Sequence, residues 1–251
     1  MSEYSEDKVQ QGNYSQEQLI MPFYIICDVS WSMKDNNNID ALNSGLKDLV
    51  DDISKDAIVS DATMISIITF SGNAEVVVPL APAYDIELPT LTAGGGTYYG
   101  AALEKYADTV KKDHERIRAQ GSRFYRPCVF FLTDGEPLDD WKPVFHKVIH
   151  YDKKTGQGNK MYPYIVSFGF AGARKEVLTA LAYPNFGEQQ GRAFFSDSGN
   201  VHQLLDSIRD FIGKSVMSSG KSVGDGNPQI ILDGNIKGMV SAPPAPDENI
   251  F

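Results

Sequence analysis

Four continuous apolar runs punctuate the chain, at Pro22–Val29, Met64–Phe70, Cys128–Leu132 and Tyr162–Phe168, with a shorter one at Arg192–Phe195. Apolar and polar residues do not alternate within them, which is the pattern of strands covered on both faces. Between them lie stretches whose apolar residues recur every three or four positions. These are Ile39–Ile53 (Ile39, Leu42, Leu46, Leu49, Val50, Ile53), Ala101–Ile117, Val144–His150, Lys175–Ala182 and Val201–Val216. That spacing predicts amphipathic helices. A further strand, Glu75–Leu80, follows Met64–Phe70 after only Ser71-Gly72-Asn73-Ala74, the spacing of a hairpin. Pro79 and Pro82 suit an antiparallel edge, where a missing N–H is harmless. The predicted fold is α/β: a doubly wound, mostly parallel six-stranded sheet with one antiparallel edge strand and helices on both faces.

The ends differ in composition. Residues 1–18 are polar, with almost no aliphatic content beyond Val9, and predict a flexible tail. From residue 220 to 251 the chain is rich in Gly, Ser, Asn and Pro, and apart from a short strand at Gln229–Leu232 it predicts a second tail. The expected folded unit spans 19–219.

Charge narrows the functional classes. Lys and Arg number 23 against 33 Asp and Glu, a net charge of −10, and the basic residues are scattered. Such a surface repels phosphate backbones and anionic membranes. No apolar run approaches the roughly 18 residues of a membrane helix. The N-terminal Met1-Ser-Glu-Tyr-Ser-Glu-Asp lacks the basic and apolar regions of a signal peptide, so a cytoplasmic protein is expected. Cys27 and Cys128 both sit in apolar runs and are expected as buried, reduced core residues.

The candidate chemistry gathers at strand ends. The first run ends in Asp28-Val-Ser30-Trp-Ser32 and the third in Leu132-Thr133-Asp134-Gly135, while Gly94-Gly95-Gly96-Thr97 directly precedes a predicted helix. Ligands of open α/β sheets collect at the carboxyl ends of strands, and these residues are hard oxygen donors. Asp28, Ser30, Ser32, Thr97 and Asp134 resemble the Asp-x-Ser-x-Ser, Thr and Asp pattern of the metal-ion-dependent adhesion site in von Willebrand factor type A (VWA) domains. Ile67-Ile-Thr-Phe-Ser, Val78-Pro-Leu, Gly94-Gly-Gly-Thr97 and Leu132-Thr-Asp-Gly135 are similar to the TerY-like branch associated with bacterial tellurite resistance.

The resemblance implies that Ser30, Ser32 and Thr97 touch a cation, Mg²⁺ or alternatively Mn²⁺ or Ca²⁺, with Asp28 and Asp134 acting directly or through water. It also implies that an acidic residue of a partner protein would complete the coordination. The TerY-like likeness further implies a stress-response setting with kinase and phosphatase components. Trp31 stands where the family motif tends to carry glycine. With Tyr98 it is expected to face the partner; the alternative is that it folds back onto Tyr98 or Tyr99.

Other signals are weaker. The glycine cluster lacks the Gly-Lys-Ser/Thr ending of a phosphate loop, and no Glu follows His146 to make a zinc-protease pair with His150. His114 and His202 have no neighbouring Cys or His, and no Gly-x-Ser-x-Gly elbow occurs. Two other functions stay open: a metal-dependent aspartate phosphatase using Asp28, although Ser30 replaces that family's second acid, and a structural module with a vestigial site. A non-enzymatic binder is expected.

Overall fold

The computed structural model describes residues 17–170, 172–196, 201–232 and 234–247. The chain opens with strand β1 (Leu19–Asp28), then passes through an irregular 3-10 segment (Trp31–Asn37) into helix α1 (Asn38–Ser54) and the short helix α2 (Ala57–Ala62). Strands β2 (Thr63–Phe70) and β3 (Ala74–Ala81) form the hairpin, and a long connection leads to α3 (Tyr99–Ala119). There follow β4 (Arg123–Phe124), β5 (Cys128–Thr133), α4 (Lys142–Val148), and a small hairpin of β6 (Tyr151–Asp152) and β7 (Gln157–Gly158). The chain then forms β8 (Tyr164–Gly169), α5 (Lys175–Leu181), β9 (Arg192–Phe195), α6 (Val201–Gly224) and β10 (Val240–Ala242).

Among the described residues the main sheet has eight strands in the order β10-β9-β8-β5-β1-β2-β3, with β4 also paired to β1. β1 pairs in parallel with β2 and β5, β5 with β8, and β8 with β9. The two edge strands, β3 and β10, are antiparallel. The continuous apolar runs are explained by burial on both faces. In β1, Met21, Phe23, Ile25 and Cys27 enter the core beneath α1 and α6, and Tyr24 and Ile26 enter the opposite core beneath α3, α4 and α5. β5 divides likewise, Cys128, Phe130 and Leu132 against Val129 and Phe131. Both cysteines are buried and free.

The strand count and the C-terminal boundary differ from expectation. β4 and β10 add to the six expected strands, and Gln229–Leu232 is not a strand. Nor does the fold stop at 219. α6 continues to Gly224, Ile230 and Ile236 are 3% exposed, and β10 closes the open edge of β9. The polar stretch is anchored by a few apolar side chains and by backbone pairing, neither of which its average composition reveals. Residues 1–16 of the expected N-terminal tail and residues 248–251 lie outside the described residues. No helix of the described residues is long and apolar enough to cross a membrane.

A buried isoleucine contributes roughly 1.5–3 kcal/mol. A chain ending at Gly226 is therefore expected to lose at least about 3 kcal/mol of stability in urea unfolding. An unchanged midpoint would show that residues 227–247 do not belong to the folded unit.

Candidate metal centre

Three loops meet at the carboxyl edge of the sheet. The first leaves β1 and brings Asp28, Ser30 and Ser32; the second is the glycine-rich approach to α3; the third leaves β5 with Asp134. Asp28 is 1% exposed, and its two carboxylate oxygens are held by different elements. The Ser30 amide donates to Oδ1 at 2.8 Å, and Thr133 Oγ1 donates to Oδ2 at 2.7 Å. Ser30 and Ser32 share a hydrogen bond at 3.0 Å, and Ser32 Oγ donates to Asp134 Oδ1 at 2.7 Å. Asp28, Ser30, Ser32 and Asp134 thus form one oxygen cluster spanning two strand tips.

Thr97, on the second loop, lies beside Gly135, the residue after Asp134. It is buried, its carbonyl accepts from the Leu138 amide at 2.8 Å, and its Oγ1 would stand 3.4 Å from a Cβ added to Gly135. Gly95, at φ +84°, adopts a conformation open to glycine, and its carbonyl accepts from the Trp31 amide at 3.0 Å. The Gly94 amide donates to Val29 at 2.7 Å, so the glycine-rich loop is stitched to the first loop on both sides of Ser30.

Two contributors were not foreseen in the sequence. Thr133, besides holding Asp28, accepts a hydrogen bond from Tyr99 OH at 3.2 Å. Asp139 lies at the start of α3, where its oxygens accept from the amides of Tyr99 (3.0 Å) and Gly100 (2.7 Å). Gly100 is needed here, since a Cβ would meet Asp139 Oδ2 at 2.6 Å. A carboxylate satisfying the first free amides of a helix fixes its start, and with it the position of Thr97 two residues earlier. Thr133 was visible within a motif, but its neighbour is remote in sequence. Asp139 is one of two adjacent aspartates with nothing local to distinguish it.

Both carboxylates are perturbed by burial. Burial pushes the Asp28 carboxyl above the ordinary carboxylate range, against the hydrogen bonds from Ser30 and Thr133. Burial likewise raises Asp134 to about 6, opposed by the Ser32 hydrogen bond and reinforced by the nearby charge of Asp28. Such carboxylates are relieved either by a proton or by added positive charge. Among the described residues no group of three or more His, Cys, Asp or Glu side chains could hold a metal. The cluster here is of another kind, two carboxylates and two serine hydroxyls with the Thr97 hydroxyl beside Gly135, and this all-oxygen set fits a hard divalent ion.

The surroundings are partly apolar. Trp31 is 61% exposed, with Lys34 Nζ 3.8 Å from its ring centroid, a cation–π contact. Tyr99 is instead buried against Phe70, Phe131 and Trp141, so it offers Trp31 no surface. Tyr98 and Leu138, 39% and 67% exposed, flank Gly96, and Leu138 was not anticipated. The histidines are elsewhere: His146 and His150 stack on each other, His114 packs on Phe124, and His202 Nε2 lies 2.8 Å from the Asn36 carbonyl.

Residues 23–136, which include all five donors, match the family model described as von Willebrand factor type A domain. The fold is shared with proximal thread matrix protein 1 of the mussel byssus, 18% identical, with a TM-score of 0.53 over 80% of this chain and 49% of that one. The ArnB paralog VWA2 from Sulfolobus acidocaldarius is 21% identical (TM-score 0.52; 78% of this chain, 46% of that one). A von Willebrand factor type A protein from Catenulispora acidiphila is 16% identical (TM-score 0.51; 79% and 43%). This chain spans less than half the length of each, and at these identities the likeness is one of fold. No curated protein matches the sequence. The matched stretch and the fold together support a VWA domain.

Loss of a helix-start acceptor typically costs about 1 kcal/mol. Asp139→Ala is expected to lower unfolding stability by about 1–2 kcal/mol, and Asp139→Asn, which keeps one acceptor, by less. Equal stability of all three proteins in chemical denaturation would remove Asp139 from this role.

Proposed function

We propose that the domain is a divalent-cation-dependent protein-recognition module. Asp28, Ser30, Ser32, Thr97 and Asp134 would hold the ion, Mg²⁺ in the first instance, which when bound supplies a site of positive charge for a carboxylate of the partner. Support comes from one observation above the rest: two buried carboxylates and the serine hydroxyls between them converge from two strand tips. Largely neutral donors leave a cation much of its charge, as capture of an external acid requires. Trp31 and Tyr98, exposed beside the cluster, serve as the apolar part of the contact. The reading is non-enzymatic, since Ser30 occupies the position where an aspartate phosphatase needs its second acid. The TerY-like phrases support a bacterial stress-response setting, with a kinase or phosphatase as a natural partner.

An ion that binds only the folded state at a hundredfold excess over Kd adds about 2.7 kcal/mol. MgCl₂ is therefore expected to raise the melting temperature by a few degrees over EDTA, and Ser32→Ala and Asp134→Asn to abolish the rise. An identical response in the variants would place the ion elsewhere.

Affinity capture from a bacterial lysate in Mg²⁺ and in EDTA is expected to retain a partner only with the ion. Truncating a central aromatic anchor costs about 2 kcal/mol or more. Trp31→Gly is accordingly expected to weaken the retained complex more than tenfold without altering the Mg²⁺-dependent melting shift. Unchanged affinity would confine recognition to the ion.

A further inference from the structure

A groove of about 280 Å³ lies between the tip of the β2–β3 hairpin and the segment Pro89–Thr92. Its lining includes Val29, Ser71, Asn73, Glu75, Thr90 and Thr92. Val29 lies between Asp28 and Ser30, and the Ser71 carbonyl accepts from the Tyr98 amide at 3.1 Å, next to Thr97, so the groove adjoins the loops that carry the candidate site.

Both walls are held in place. The Leu91 amide donates to Asn43 Oδ1 at 2.8 Å, and Asn43 Nδ2 donates to the Leu91 carbonyl at 3.0 Å. One side chain of α1 thus supplies the pairing that a neighbouring strand would give this segment. On the other wall the Ser71 amide donates to the Asn73 carbonyl at 2.8 Å, closing the hairpin tip. Walls fixed before binding reduce the ordering cost of association.

The chemistry of the lining is specific. Hydroxyl and amide side chains suit the peptide groups of an extended chain. Among the described lining residues Glu75 alone is charged; it is exposed and takes part in no ion pair among the described residues. A carboxylate so placed complements a cation, and opposite charges across an interface set register and partner choice. The net charge of −10 disfavours a nucleic-acid occupant.

Resting on the proposed capture of a partner's carboxylate, we infer that the groove receives the same partner as an extended peptide segment, and that a Lys or Arg at a fixed offset from the acid pairs with Glu75. The cation site selects the acid, and Glu75 selects the base beside it.

The test is a displayed library of peptides with a randomised stretch, panned on the full chain in MgCl₂ and in EDTA. For the parent, Asp or Glu is expected in the Mg²⁺-dependent binders, with Lys or Arg enriched at one offset. Glu75→Lys is expected to replace that base by an acid, and Glu75→Gln to leave the position random, both variants melting like the parent. Acid selection with no basic preference, or a preference that Glu75→Lys does not alter, overturns the groove assignment and leaves the cation-dependent reading standing. Binders that are insensitive to EDTA and lack a common acid overturn the cation-dependent reading itself, and with it the shared-partner inference. A library yielding no binders overturns both.

Discussion

The hydrogen bond from Thr133 to Asp28 joins the tips of the two central strands, and the candidate site depends on it. Both residues are almost wholly buried. A carboxylate there has lost its water, and the Ser30 amide and Thr133 hydroxyl replace part of that solvation. The separation of the first and third loops therefore derives from the register of β1 on β5, with Cys27 opposite Leu132, rather than from loop conformation. Since β1 and β5 are buried on both faces, the packing of Phe23, Phe130 and their neighbours sets the geometry at the strand ends. In this way the core determines the spacing of oxygen atoms that lie outside it.

Much of the fold was legible for the same reason. A strand buried on both faces holds few polar residues, and Ser66 and Ser167 are tolerated because their hydroxyls donate to the Val78 and Leu178 carbonyls, so β1, β2, β5 and β8 stand out as predominantly apolar runs. A helix on a sheet needs one apolar stripe, and Leu42, Leu46, Leu49 and Ile53 display it. What escaped notice was short or held by distant pairing. β4 has two residues, and β10 pairs Val240 with Phe195 across the whole length of α6. Ile230 opens the short apolar run Ile230-Ile231-Leu232, which reads as a strand, and Ile236 is an isolated apolar residue in a Gly- and Asn-rich stretch, where composition points toward solvent and burial depends on a socket built elsewhere. The short helix α2 had a readable sign, since Asp56 accepts from the Val59 amide at 3.2 Å, a cap that its position before Ala57 suggests.

At the site, legibility followed the type of work each residue does. Asp28, Ser30, Ser32 and Asp134 lie at or just past the ends of β1 and β5 and Thr97 just before α3, in short motifs whose family resemblance makes them visible. Thr133 and Asp139 position other groups, and their partners lie 105 and 39–40 residues away, beyond the reach of local pattern. Trp31 illustrates the remaining gap. Its sequence position left open whether the ring packs or projects, and the answer came from Lys34 one turn along, whose ammonium covers a face of the indole while most of the ring stays in solvent.

The late position of β10 bears on how the chain is made. β9 lies between β8 and β10, so one side of it has its partner early while the other waits for residues synthesised after the 24-residue helix α6. Until Val240–Ala242 emerge, a nascent chain presents an unpaired strand edge and empty sockets for Ile230 and Ile236. An open edge invites pairing with another chain. The segment that follows α6 is thus the one that closes this edge, and ribosomes translating one message in close succession are where that protection matters most.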